Sequence, residues 1–178
     1  MRRRLSCLLY AACLLAGLVL PAATAQAQSV SEAAVKAGFV YNFIKFTQWP
    51  AVREGAPVRV CAPAAHPLDG QLIRLQGRNV GSRLIEVRTG VSPGEWRQCD
   101  VLFLGADDAD RLYLLPSRPG PAPVLTLGDL PGFVDAGGMI GLRVEASRVR
   151  FDVNLGTAQA AGLVLNSQML KLAGKVLQ

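Results

Sequence analysis

One histidine serves a chain of 178 residues, and that scarcity removes whole classes of chemistry. His66 stands before Pro67 in a turn-like stretch, and a lone imidazole cannot build a histidine-based metal site. Neither His-Glu-x-x-His nor Cys-x-x-Cys spacing occurs. Ser82 follows a glycine but lacks the Gly-x-Ser-x-Gly elbow of a serine hydrolase. "GRNVG", residues 77–81, has neither the lysine nor the following serine or threonine of a phosphate loop. An enzyme is therefore not expected, and neither is a cofactor or metal. "GADDAD", residues 105–110, gathers three acids after an apolar run, where α/β sheets hold ligands. It lacks the glycine and closing glutamate of a calcium loop, and helix N-capping by Asp107 or Asp108 accounts for it.

Long apolar runs are scarce too, beyond one at the start. Arg2, Arg3 and Arg4 precede an apolar stretch from Leu5 to Leu20, then Pro21 and small residues, with Ala25-Gln26-Ala27 fitting a cleavage site. A span needs about 20 apolar residues, so a membrane anchor fits less well than a leader. A lipoprotein site at Cys13 fits less well again, because the residues after it stay apolar. Residues 1–27 are expected to be a cleaved signal peptide and 28–178 a single domain, periplasmic in a bacterium. The whole chain carries a formal charge of +6, and residues 28–178 keep 16 basic against 13 acidic side chains. That thin excess forms no basic patch, so no nucleic-acid partner is expected. Cys7 and Cys13 leave with the signal. Cys61 and Cys99 remain, and in an oxidising compartment such a pair reads as a disulfide before a metal site, structural or redox-sensing.

Aromatics are few and crowded. Five of eleven lie in "KAGFVYNFIKFTQWP", residues 36–50. Ser29 and Glu32 have capping-box spacing. Val35, Phe39, Phe43 and Phe46, widened by Val40 and Ile44, then form one helical stripe that Pro50 ends. Two lysines are too few for a membrane-lying helix, so the stripe is read as a core spine. Strands follow at Val58–Ala62, Arg83–Arg88, Asp100–Gly105 and Pro123–Gly128, with helices in "PLDGQLIRLQG" and "DADRLYLLPS" between them. The alternation predicts an α/β fold: a mostly parallel sheet flanked by helices in three layers.

The ending changes character. "GGMIGLRVEASRVRFDVN" predicts an antiparallel hairpin turning at Ala146-Ser147. Leu142, Val144, Val149, Phe151 and Val153 should face the core, and Arg143, Glu145, Arg148, Arg150, Asp152 and Asn154 the outside. Arg143 and Arg150 then stand opposite each other and repel. Either Glu145 and Asp152 neutralise them on a solvated strand, or the pair meets an anionic ligand or an acidic partner. A sheet edge here also suits a partner strand. The tail should be helical, broken near Gly162 and restarted by Asn166 or Ser167 through Leu177.

"YNFIKFTQWP", "VRVCA", "CDVLFLG", "VLTLGD", "FVDAGGMIGL", "VRFDVNLGTAQAAGL" and "SQMLKLA", taken in order, resemble the YfiR-like periplasmic regulators from about Ser31 onward. The resemblance implies a sheet flanked by helices and a binding role. Family members include a repressor that binds the periplasmic domain of a membrane diguanylate cyclase, lowering cyclic-di-GMP and biofilm formation. Here the implied partner is such a cyclase or a sensor kinase, and a homodimer is compatible with a docking protein of this size. The resemblance supports a Cys61–Cys99 disulfide. A second cysteine pair, found in one member of the family, is replaced here by Val134 and Gly141. It also places a partner surface on the turn and hairpin, at Ile140 and Asp152; Met139, Arg143, Arg150 and Asn154 complete that candidate surface. The alternative is a periplasmic sensor for a small anion or metabolite.

Overall fold

The computed structural model describes residues 31–50, 55–63, 68–115 and 123–178. The predicted signal peptide, Ser29 and His66 lie outside the described residues. Helix α1 (Glu32–Lys45) opens at Ser31, whose hydroxyl accepts the Ala34 N–H at 3.2 Å. Its buried face is Ala37, Val40, Phe43 and Ile44. The aromatic stripe is thus turned partly aside: Phe39 is half-buried, and Phe46 is 40 % exposed. Phe39 and Phe43 still meet Phe151 across the sheet, at ring-centroid distances of 5.9 and 5.0 Å. The core-spine expectation holds for most of the helix.

The strands follow in chain order. They are β1 (Thr47–Gln48), β2 (Val58–Ala62), β3 (Asn79–Val80), β4 (Arg83–Thr89), β5 (Val101–Leu104), β6 (Leu125–Gly128), β7 (Ile140–Glu145), β8 (Arg148–Asn154), β9 (Val164–Leu165) and β10 (Val176–Leu177). Eight of them form one sheet in the order β10-β8-β7-β6-β5-β2-β4-β3, while β1 and β9 pair separately. Only β7–β8 and β3–β4 are antiparallel within the large sheet. Side chains of the central strands alternate between two cores, one on each face. Val60, Val101, Phe103, Leu125 and Leu127 join α1, whereas Cys61, Leu102 and Leu104 join Trp96, Leu130 and Phe133. The three-layer α/β expectation is what the chain builds. Cys61 and Cys99 are bonded in the second core, with Cα atoms 6.0 Å apart.

Four expectations need correction. The helix of "PLDGQLIRLQG" is one turn, α2 (Asp69–Leu72), continued as a 3-10 turn to Leu75. The segment after β5 is a 3-10 run over Ala106–Leu114, and its capping residue is Gly105. Asp108 acts from the third position instead, accepting the Gly105 N–H at 3.1 Å while paired with Arg111. Val144 is 47 % exposed because the hairpin runs past the end of β6 and leaves the core behind. The tail is α3 (Leu155–Ala160), β9, then only one turn of helix, α4 (Ser167–Leu170), capped by Asn166. Past α4 the chain returns to the sheet as β10, since the Lys175 carbonyl accepts the Val153 N–H at 2.8 Å and so continues the ladder.

Candidate functional site

Because β7 outruns β6, the sheet is stepped at one end. Pairing of β6 with β7 stops at Gly128↔Gly141, while β7 continues to Glu145 against β8. The turn at Ala146 and Ser147 (φ 46° and 59°) gives both central residues the left-handed geometry of a tight hairpin and fixes Arg143 opposite Arg150, as the sequence predicts. Beside the step lies a cleft of about 470 Å³, a size typical of ligand sites. Its walls are Lys36 of α1, the segment from Asp129 to Asp135, and Leu142, Arg143 and Val144 of β7.

The segment from Asp129 to Gly138 is shaped by one ring. Phe133 is 1 % exposed and wedged between two glycines. A Cβ at Gly128 would lie 2.7 Å from one edge of the ring, and a Cβ at Gly138 would lie 2.2 Å from the other. No side chain fits at either place. The Asn154 amide fastens the same segment by donating to the Val134 carbonyl at 3.0 Å, while its oxygen caps α3 at Thr157. The Met139 N–H donates to the Thr126 hydroxyl at 3.0 Å.

Ionised side chains line the cleft in pairs. Lys36 bridges Glu32 at 2.7 Å and Asp129 at 2.8 Å. Burial pushes its ammonium down, but the hydrogen bonds to Asp129 and Glu32 outweigh that and hold its pKa above the usual 10.5. Arg143 contacts Glu145 on its own strand and Asp152 at 3.0 Å on the next. The Glu145 bond, then the Asp152 bond, raises the Arg143 pKa, and Arg143 in turn lowers that of Glu145. Of the two readings of the arginine pair, neutralisation by Glu145 and Asp152 is the one the geometry gives for Arg143. The chain also passes close over this pair: a Cβ at Gly174 would sit 2.6 Å from an Arg143 guanidinium nitrogen and 2.9 Å from an Asp152 oxygen.

The residues expected at a partner surface therefore divide. Arg143, Arg150 and Asp152 share one face of the hairpin, with Arg143 and Asp152 lining the cleft. Met139 (1 %) and Ile140 (0 %) are core residues, so their side chains present nothing to a partner. Asn154 is a structural clamp. Sequence reasoning missed Lys36 and Asp129 as a pair, although "VLTLGD" carried the signal of an acid at a strand's carboxyl end.

A pattern shared by YfiR/HmsC-like proteins matches residues 33–174, nearly the whole described chain. The chain belongs to the YfiR/HmsC-like family. Proteins of this family are periplasmic, regulatory and non-catalytic, and work by engaging a partner protein. The match takes in the stepped hairpin and both halves of the cleft. Val134 and Gly141 are neighbours across it: a Cβ on Gly141 would lie 3.3 Å from a Val134 methyl. Among solved structures, the ABC domain in complex with L-Trp from Streptococcus pneumonia superposes with a TM-score of 0.53 at 11 % identity, over 82 % of this chain and 60 % of that one. A conserved domain protein from Vibrio cholerae gives 0.49 at 10 % identity, with the same coverage. This chain spans 60 % of the length of each. At such identity the first likeness is one of fold alone. Among the described residues, no helix is long and apolar enough to cross a membrane.

Proposed function

We propose that this protein is exported through its N-terminal signal, cleaved after Ala27, and docks in the periplasm on the sensor domain of a membrane signalling enzyme. The enzyme is a diguanylate cyclase, and docking holds it inactive, lowering cyclic-di-GMP and biofilm formation. Membership of the YfiR/HmsC-like family carries this reading. Residues 28–178 act as one domain. The stepped hairpin supports a docking role, because it puts Val144 and the Arg143–Glu145 ion pair on an accessible surface at the sheet's end. Small-anion sensing is less well supported: Lys36 and Arg143, the two cations that line the cleft among the described residues, are each held between two carboxylates. Deleting the gene should raise cyclic-di-GMP and surface attachment. A deletion strain with unchanged levels of both defeats the proposal.

A further inference from the structure

Among the described residues, the step in the sheet leaves backbone groups without a neighbouring strand, and β8 shows which ones. The Val153 N–H donates outward to Lys175, and the Phe151 carbonyl accepts outward from Gly174. Odd-numbered residues of β8 therefore turn their backbone away from β7. In an antiparallel pair, directly opposite residues share this orientation, so the partners of Phe151 and Val149 turn theirs away from β8. Those partners are Leu142 and Val144. The Leu142 N–H is used in the parallel Gly128↔Gly141 pairing, but the Leu142 C=O and the Val144 N–H and C=O point into the space that a longer β6 would occupy, and both residues line the cleft there.

We propose that this cleft is a strand-acceptor site, in which an extended segment of the partner protein adds alongside β7 over residues 142–145, collinear with β6. This inference rests on the docking function above and specifies how docking occurs. Four residues of strand span about 13 Å, and the Leu142 C=O with the Val144 N–H and C=O offers one donor and two acceptors to such a segment. The charges around the cleft choose its chemistry. The most exposed members of the ion pairs are carboxylates: Glu32 (55 %), Asp135 (58 %) and Glu145 (61 %). Their cations are more covered, with Lys36 at 12 %, Arg143 at 41 % and Lys175 at 48 %. Ion pairs that turn their carboxylates outward beside an open strand edge fit a segment bearing lysine or arginine beside apolar residues.

The test uses residues 28–178 and the blocked peptide Lys-Val-Lys-Val-Lys, followed by amide NMR. The basic peptide should shift the Val144 amide saturably. Its glutamate counterpart should bind at least tenfold more weakly, and so should a version N-methylated along one backbone edge. Val144→Pro removes an N–H that β8 does not use and puts the ring in the gap, so the fold should survive while peptide binding is lost. Equal binding by the N-methylated peptide, by the glutamate peptide or by a folded Val144→Pro variant overturns the proposal, as does the absence of a shift at Val144. In cells, a Val144→Pro chain that still lowers cyclic-di-GMP refutes strand addition and leaves the regulatory role standing. If the unaltered chain does not lower cyclic-di-GMP, the regulatory role falls, and the peptide titration alone decides strand addition.

Discussion

Gly138→Ala adds one methyl group where Phe133 leaves no room. The new carbon would lie 2.2, 2.4 and 2.6 Å from three ring atoms, against an ordinary carbon contact of about 3.5 Å or more. The ring would have to recede by about 1.3 Å, yet its far edge already lies against Gly128. No left-handed backbone is at issue at Gly138, so the effect is steric alone. Phe133 must leave the second core, and losing a buried phenylalanine costs about 3 kcal/mol. With a urea m-value of about 2 kcal/mol/M, the unfolding midpoint should fall by about 1.5 M. Trp96, buried in the same core, supplies the fluorescence signal. Phe133→Leu added to Gly138→Ala should recover part of the loss by restoring space. Gly38→Ala is the control: nothing lies within 4 Å of its Cβ in the middle of α1, so it should gain about 0.5–1 kcal/mol. A Gly138→Ala midpoint equal to that of the parent would show that the wedge does not hold the turn.

Two further outcomes follow from the ion pairs and the disulfide. Replacing Cys61 and Cys99 with alanine releases a 38-residue separation and should cost roughly 4 kcal/mol; an unchanged urea midpoint with and without reductant would contradict it. Lys36→Met removes the ammonium that bridges Glu32 and Asp129 at a largely covered position and should cost about 2–3 kcal/mol at pH 7. Because the Lys36 pKa is raised in the folded state, its contribution is complete below about pH 10.5 and fades as pH climbs through the raised value. The gap between parent and variant should therefore shrink above that pH. A gap that stays constant from about pH 8 to about pH 12 would refute the pairing.

What the sequence disclosed was local. The Arg143↔Arg150 register follows from strand period and a two-residue turn, so it could be counted directly. The all-buried β5 and β6 were visible as apolar runs. The failures were non-local or ambiguous by length. Strands β1 and β9 are two residues each and pair Thr47 with Leu165 across the chain. Val176 and Leu177 continue a helical spacing, but the free edge of β8 claims them as a strand. Phe46 matched the aromatic stripe yet lies one residue past the end of α1, where the helical angle no longer aims it inward. The cleft escaped notice because it arises from where β6 stops relative to β7, a relation between two strands that neither carries alone. Asn154, read as outward-facing, proved to be a clamp for a loop twenty residues away.

The phenylalanine lodged between two glycines has a consequence for any guest at the sheet's end. Loops that must be stilled on binding tax affinity, by about 0.5–1.5 kcal/mol for each side chain immobilised. Here the wall is already still before a visitor arrives, so the toll falls almost wholly on the incoming chain. Mutations that loosen Phe133 should thus weaken capture by hastening escape, long before they unfold the host.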